Sequence, residues 1–264
     1  MNDYEKFIHL SRYSRWIEEK GRRETWPETV SRYCDYFRDK FPDIFPYDKV
    51  YNAFYNLEVV PSMRAVMTAG PALDRDNISG YNCSFVAVDH PRAFDEIMYV
   101  LMCGTGVGFS VEEQHVKQLP TVAEELVNSH STIAVADSRI GWASALREHI
   151  SLLYSGKIAR WDISRVRAAG ERLKTFGGRA SGPEPLERLF QRCVEVFKGA
   201  SGRKLTSLEC HDLVCSIADV VIVGGVRRSA LISLGDLADM RLRNAKTGQW
   251  WVENPQRALA NNSA

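Results

Sequence analysis

The chain reads as an α/β protein built on a largely parallel sheet, with a helical region in front of it. Three observations carry that reading. Strand-type apolar runs alternate with amphipathic helical patterns along most of the chain, the order expected when helices return the chain to a parallel sheet. With 264 residues, 45% apolar and 25% charged, it has the composition of a globular protein that buries a sizeable core. Residues 1–60 instead carry aromatic side chains at mixed three- and four-residue spacings, which suits helices.

In that first region Trp16, Trp26, Tyr33, Tyr36, Phe37, Tyr51, Phe54 and Tyr55 suit a helical layer that covers a core. Thr25 followed by Pro27 and Glu28 has the pattern of an N-terminal cap, so a second helix starts there. The main body is expected over 61–264. "VVPSMRAVMTAGPAL" leads to the turn Gly80-Tyr81-Asn82 and a strand over residues 84–88. "RAFDEIMYVLMCGTGVGFSVE" predicts a helix over 93–103, a glycine turn and a strand over 107–112. Residues 113–130 are polar and irregular, the expected loop or insertion. In "SRIGWASALREHISLLYSG", Trp142, Leu146, Ile150 and Leu153 share one helix face, and Gly156 ends the helix. "TFGGRASGPEPLERLFQRCVEVFKG" is a glycine-rich loop feeding a helix that starts near Pro183 and Pro185. "CHDLVCSIADVVIVGG" fits a helix throughout or a helix passing into a strand, and "RRSALISLGD" ends in a strand and a turn. There is no internal repeat.

A net charge of +1 gives no electrostatic ground for binding nucleic acid or an anionic membrane. No apolar run approaches the roughly 18–20 residues that span a bilayer, and the charged N-terminus has no signal-peptide core. Six cysteines without a disulfide-scaffold density fit a reducing compartment, so a cytoplasmic location is expected. Cys210, His211 and Cys215 in "CHDLVC" lack two further ligands at suitable spacing, and no metal is expected there. Cys83, between a turn and a strand, is either a buried structural thiol or a redox thiol. "CGTGVG" follows a helix and lacks the dinucleotide spacing, and no Walker-type loop occurs. "FGGRASGP" and "GGVRRSA" combine glycine with arginine and serine. That composition lets backbone N–H groups approach an anion while guanidinium groups grip it, yet each taken alone reads equally as a plain turn.

The blocks "VPSMRAVMTAG", "YNCSFV", "MCGTGVGFSVE", "DSRIGWASALR", "LKTFGGRASGPEPL", "GGVRRSALISLGD" and "NPQRALANNSA" follow one another in the order typical of one family. From about residue 55 to its last residue the chain resembles the N-terminal part of an adenosylcobalamin-dependent (class II) ribonucleotide reductase. The resemblance is strongest to the monomeric ribonucleoside-triphosphate reductases. Ile140 departs from it, because an acidic residue is usual there.

The resemblance implies the first half of a ten-stranded α/β barrel that reduces ribonucleotides by thiyl-radical chemistry, with a thioredoxin-type reductant restoring the thiols. Cys83 falls where the family keeps one member of its reducing cysteine pair. Ser62, in "PSMR", and Asn82 fall at substrate positions, as do Arg227 and Arg228 in the second specificity loop. Asp137, Ser138, Arg179, Ser181, Gly182, Gly224 and Gly225 fall where a deoxynucleoside triphosphate effector is held. The family's radical motif Asn-x-Cys-x-Glu is absent, as are the second reducing cysteine and most of the cobalamin pocket. The expectation is therefore a fragment or split subunit completed by a separate C-terminal half. The alternatives are an inactive deoxynucleotide-binding module and a truncated remnant.

Overall fold

The computed structural model describes residues 1–171, 179–222 and 230–264, which cluster into two units, Met1–Asn82 and Cys83–Ala264. In the first, α1 (Asp3–Ile8) is capped by Asn2 and runs into a single π-helical segment, His9–Tyr13. Strands β1 (Trp16–Ile17) and β2 (Arg22–Arg23) form a small hairpin. Helix α2 (Trp26–Lys40) starts as expected: Thr25 and Glu28 close a capping box, with Pro27 in the first turn. Helix α3 (Tyr47–Tyr55) packs on α2, and α4 (Met63–Thr68) and α5 (Pro71–Arg75) follow. The aromatic residues close a core of the unit's own around Val30, Cys34, Phe54 and Val66. Trp26 and Tyr33 both meet the Phe54 ring edge-on.

The second unit holds a four-stranded, all-parallel sheet in the order β3 (Cys83–Ala87), β4 (Gly106–Ser110), β7 (Leu231–Leu234), β8 (Ala260–Ser263). Helix α6 (Ala93–Met102) makes the crossover from β3 to β4. After the short α7 (Glu113–Val116), strands β5 (Val127–Ala134) and β6 (Lys157–Asp162) pair in parallel, joined by α8 (Arg139–Tyr154). Helices α9 (Glu184–Gly199) and α10 (Ser207–Ile222) complete the cover. The short α11 (Met240–Arg243) and α12 (Trp250–Glu253) lie on the connection from β7 to β8. Trp142, Leu146, Ile150 and Leu153 of α8 face the core as their spacing predicts.

One expectation changes and one alternative is settled. Residues 113–130 are not simply a loop, since α7 and the first residues of β5 lie within them. Only Ile133 of β5 is fully buried, so the strand never shows the apolar alternation that marks a half-buried one. "CHDLVCSIADVVI" is helix up to Ile222, where β-branched residues had left a strand open. No helix among the described residues is long and apolar enough to cross a membrane.

Candidate functional site

The parallel register sets Cys83 beside Gly106 and lines up Phe85, Gly108 and Ile232 across three strands. Because side chains alternate, Val107, Phe109, Leu231 and Ser233 turn into the helix-covered core, while Cys83, Phe85 and Ile232 share the other face. There Cys83 is an exposed free thiol, Phe85 is 59% exposed and Ile232 41%. A Cβ at Gly108 would come 3.3 Å from Ile232 Cγ2 and 3.8 Å from Phe85 Cδ2. The glycines of β4 thus leave a track between two apolar side chains, with an accessible thiol at its head.

The other five cysteines are buried. Burial pushes the thiols of Cys193 and Cys215 up to about 12 and raises Cys210 further, so none is poised as a thiolate. In "CHDLVC" the Cys215 Sγ lies 3.8 Å from the His211 ring, and Asp212 forms a two-pronged ion pair with Arg257. Among the described residues no group of three His, Cys, Asp or Glu side chains is placed to hold a metal ion.

A second constellation gathers at the start of α8. The Ser138 hydroxyl caps the helix by accepting from the Gly141 N–H at 3.0 Å. Gly141 has no room for a side chain, since a Cβ would lie 2.3 Å from the Ala136 carbonyl oxygen. Asp137 accepts from Arg167 Nε at 2.8 Å. Residues 167–171 meet the stretch 179–182 through backbone bonds from Gly170 N to Ala180 O and from Ala180 N to Glu171 O, while Arg179 donates to the Gly170 carbonyl. Gly182, at φ +78°, packs so closely that a Cβ would be 3.0 Å from Ala169 N, and the Ser181 hydroxyl donates to the Gly182 carbonyl. The fold therefore bonds Asp137, beside Ser138, to Arg167, and the segment after Arg167 meets the stretch holding Arg179, Ser181 and Gly182; the motifs did not single out Arg167. Its signal was the basic pair flanking Val166 in "SRVR", ahead of the glycine-rich loop.

Ser62 is exposed at the N-cap of α4, its hydroxyl making no capping bond, and Asn82 is exposed immediately before Cys83. Arg227, Arg228, Gly224 and Gly225 lie outside the described residues, as do Gly177 and Gly178 of the first loop.

The parallel sheet and the β5–α8–β6 unit define an α/β fold. The family model for the insertion domain of B12-dependent ribonucleotide reductase matches residues 111–197. A protein of Mycobacterium phage D29, provisionally named an adenosylcobalamin-dependent ribonucleoside-triphosphate reductase, is 30% identical over 94% of this chain and 43% of its own length. The adenosylcobalamin-dependent ribonucleoside-triphosphate reductase of Lactobacillus delbrueckii subsp. bulgaricus is 28% identical, over 90% of this chain and 41% of its own. A crystal structure of a B12-dependent (class II) ribonucleotide reductase superposes with a TM-score of 0.82 at 25% identity, covering 97% of this chain and 45% of that one. In sequence and fold the chain corresponds to the N-terminal part of a class II ribonucleotide reductase. It spans less than half the length of these relatives.

Proposed function

We propose that this chain supplies the substrate-reducing thiol and the nucleotide-binding loops of a class II ribonucleotide reductase, and that it works only when joined to the remainder of that fold. The observation that carries the reading is Cys83: it is the exposed cysteine of six, and it heads the first strand of a sheet whose fold matches a class II enzyme. Oxidation of Cys83 with a second thiol to a disulfide releases two electrons and two protons, the reducing equivalents that replacing a 2′-hydroxyl by hydrogen requires. The five buried cysteines do not provide that second thiol, so it comes from the completing polypeptide, as does the radical cysteine. Ser62 and Asn82 contact the ribonucleoside triphosphate, with Arg227 and Arg228 reading its base. The cluster of Asp137, Ser138, Arg167, Arg179, Ser181 and Gly182, with Gly224 and Gly225, holds the effector deoxynucleotide, a reading supported by the bond of Arg167 to Asp137 ahead of α8 and that of Arg179 to the Gly170 carbonyl. A thioredoxin-type dithiol restores Cys83.

The relatives' names carry dependence on adenosylcobalamin, a corrin far larger than a typical ligand. A cleft among the described residues, between His90–Arg92 and Arg147–Ser155, measures about 390 Å³ and suits a much smaller molecule. The residues of this cleft do not frame the cofactor. The test is complementation. The chain alone, given adenosylcobalamin, CTP and a dithiol, forms no dCTP. Adding the C-terminal half of a class II reductase restores turnover to the wild type and not to Cys83→Ser. Turnover by the chain alone, or equal turnover by both complemented proteins, defeats the proposal. Nucleotide binding without any complementation favours the binding-module alternative.

A further inference from the structure

The end of α4 opposite Ser62 is held by side chains from far upstream. A helix leaves its last carbonyls without partners inside the helix. Here the Met67 carbonyl accepts from Arg15 through Nη2 at 2.6 Å and Nε at 3.2 Å, while the Val66 and Ala69 carbonyls accept from Arg32 Nη1 at 2.9 and 3.2 Å. Both cations also favour the negative end of the helix dipole.

One buried carboxylate holds the Arg32 guanidinium and the Arg15 backbone. Glu24, 6% exposed, accepts from Arg32 Nε at 2.7 Å and Nη2 at 3.0 Å, and from the Arg15 backbone N–H at 3.2 Å. Thr29 donates its hydroxyl to Glu24 at 2.9 Å, and its oxygen lies 2.8 Å from Nε2 of the buried His9. With the Thr29 proton committed to Glu24, His9 is the donor in that contact. A second feature shows how closely Arg15 is fitted. Gly70, directly after the helix, has φ +118°, and a Cβ there would lie 3.1 Å from Arg15 Nη1.

We propose that Arg15, Glu24 and Arg32 form a positioning clamp that fixes the carbonyl end of α4 and thereby sets where the Ser62 turn meets a nucleotide's phosphates. The second half of this statement rests on the substrate role proposed for Ser62. The clamp itself rests on geometry within Met1–Asn82 alone. Burial would raise the Glu24 carboxyl, but Arg32 outweighs it and holds the pKa below its ordinary value, so the clamp is charged at neutral pH.

The test is hydrogen exchange on the full 264-residue chain, comparing wild type with Glu24→Gln, which keeps the shape and removes the charge. The amides of Val66 and Ala69, bonded to Ser62 O and Ala65 O, should exchange at least tenfold faster, while amides of α6 and α8 keep their wild-type rates. If Glu24→Gln does not fold, Arg15→Lys, which keeps the charge and loses the two-pronged contact with the Met67 carbonyl, gives the same reading. Unchanged Val66 and Ala69 rates, or a uniform increase across Met1–Asn82, overturn the clamp. CTP affinity of wild type, Glu24→Gln and Ser62→Ala, measured in the complemented enzyme, tests the link. Weakening by both substitutions supports it, and weakening by Ser62→Ala alone overturns it. No loss with Ser62→Ala removes the substrate role of that turn, while the exchange result still decides the clamp.

Discussion

The two faces of the four-stranded sheet differ in what they ask of a side chain. On one, Val107, Phe109, Leu231 and Ser233 are almost wholly buried, and Phe109 meets the His211 ring of α10. On the other, Cys83, Phe85 and Ile232 remain exposed around glycines. Parallel sheets ordinarily have both faces covered. The contrast separates what holds this unit together from what stays exposed.

The sharpest way to break that contrast is thiol labelling. In the native chain iodoacetamide should modify Cys83 roughly a hundredfold or more faster than the five buried cysteines, which react only through opening of the structure. Peptide mapping by mass spectrometry checks this, and early modification of Cys103 or Cys215 would erase the distinction. Next in size is the core. Phe109→Ala should cost about 3–5 kcal/mol in urea unfolding, while Phe85→Ala should stay within about 0.5 kcal/mol. Equal losses would mean that the exposed face packs as tightly as the buried one. The smallest signal is a pH slope beneath the buried face. Burial would raise the Asp212 carboxyl, but Arg257 and His211 outweigh it and hold its pKa below the ordinary value. The stability it contributes is therefore complete above the unfolded-state pKa of about 4 and fades as pH falls through the lower folded value. Asp212→Asn should weaken the chain at neutral pH and flatten its acid limb. An unchanged slope between about pH 2 and 5 would remove Asp212 from that account.

The buried side of this comparison was legible from the chain alone. The face of α8 follows from a three- and four-residue spacing, and the start of α2 from Thr25 and Glu28, because both depend on local geometry. Strand β5 was not legible. Its order comes from pairing with β6 and not from burial, so "VNSHSTIA" carries no periodic signal. α10 was ambiguous because Val220, Val221 and Ile222 suit a strand by propensity, and only the surrounding packing selects helix. At the candidate site, Cys83, Asp137 and Gly182 stand in the motifs that carry the resemblance. Arg167, Arg15 and Arg32 escaped notice because each acts on a partner 30 to 52 residues away.

The order β3-β4-β7-β8 also has a consequence for association. Its two outer strands run the same way but present opposite flanks, one at Cys83–Ala87 and one at Ala260–Ser263. Edges of that kind complement each other, not themselves. A contact between them is head-to-tail, and unless its rotation closes a ring it adds copies without limit. Exposed Asn261 and Asn262 set polar side chains on one of these edges.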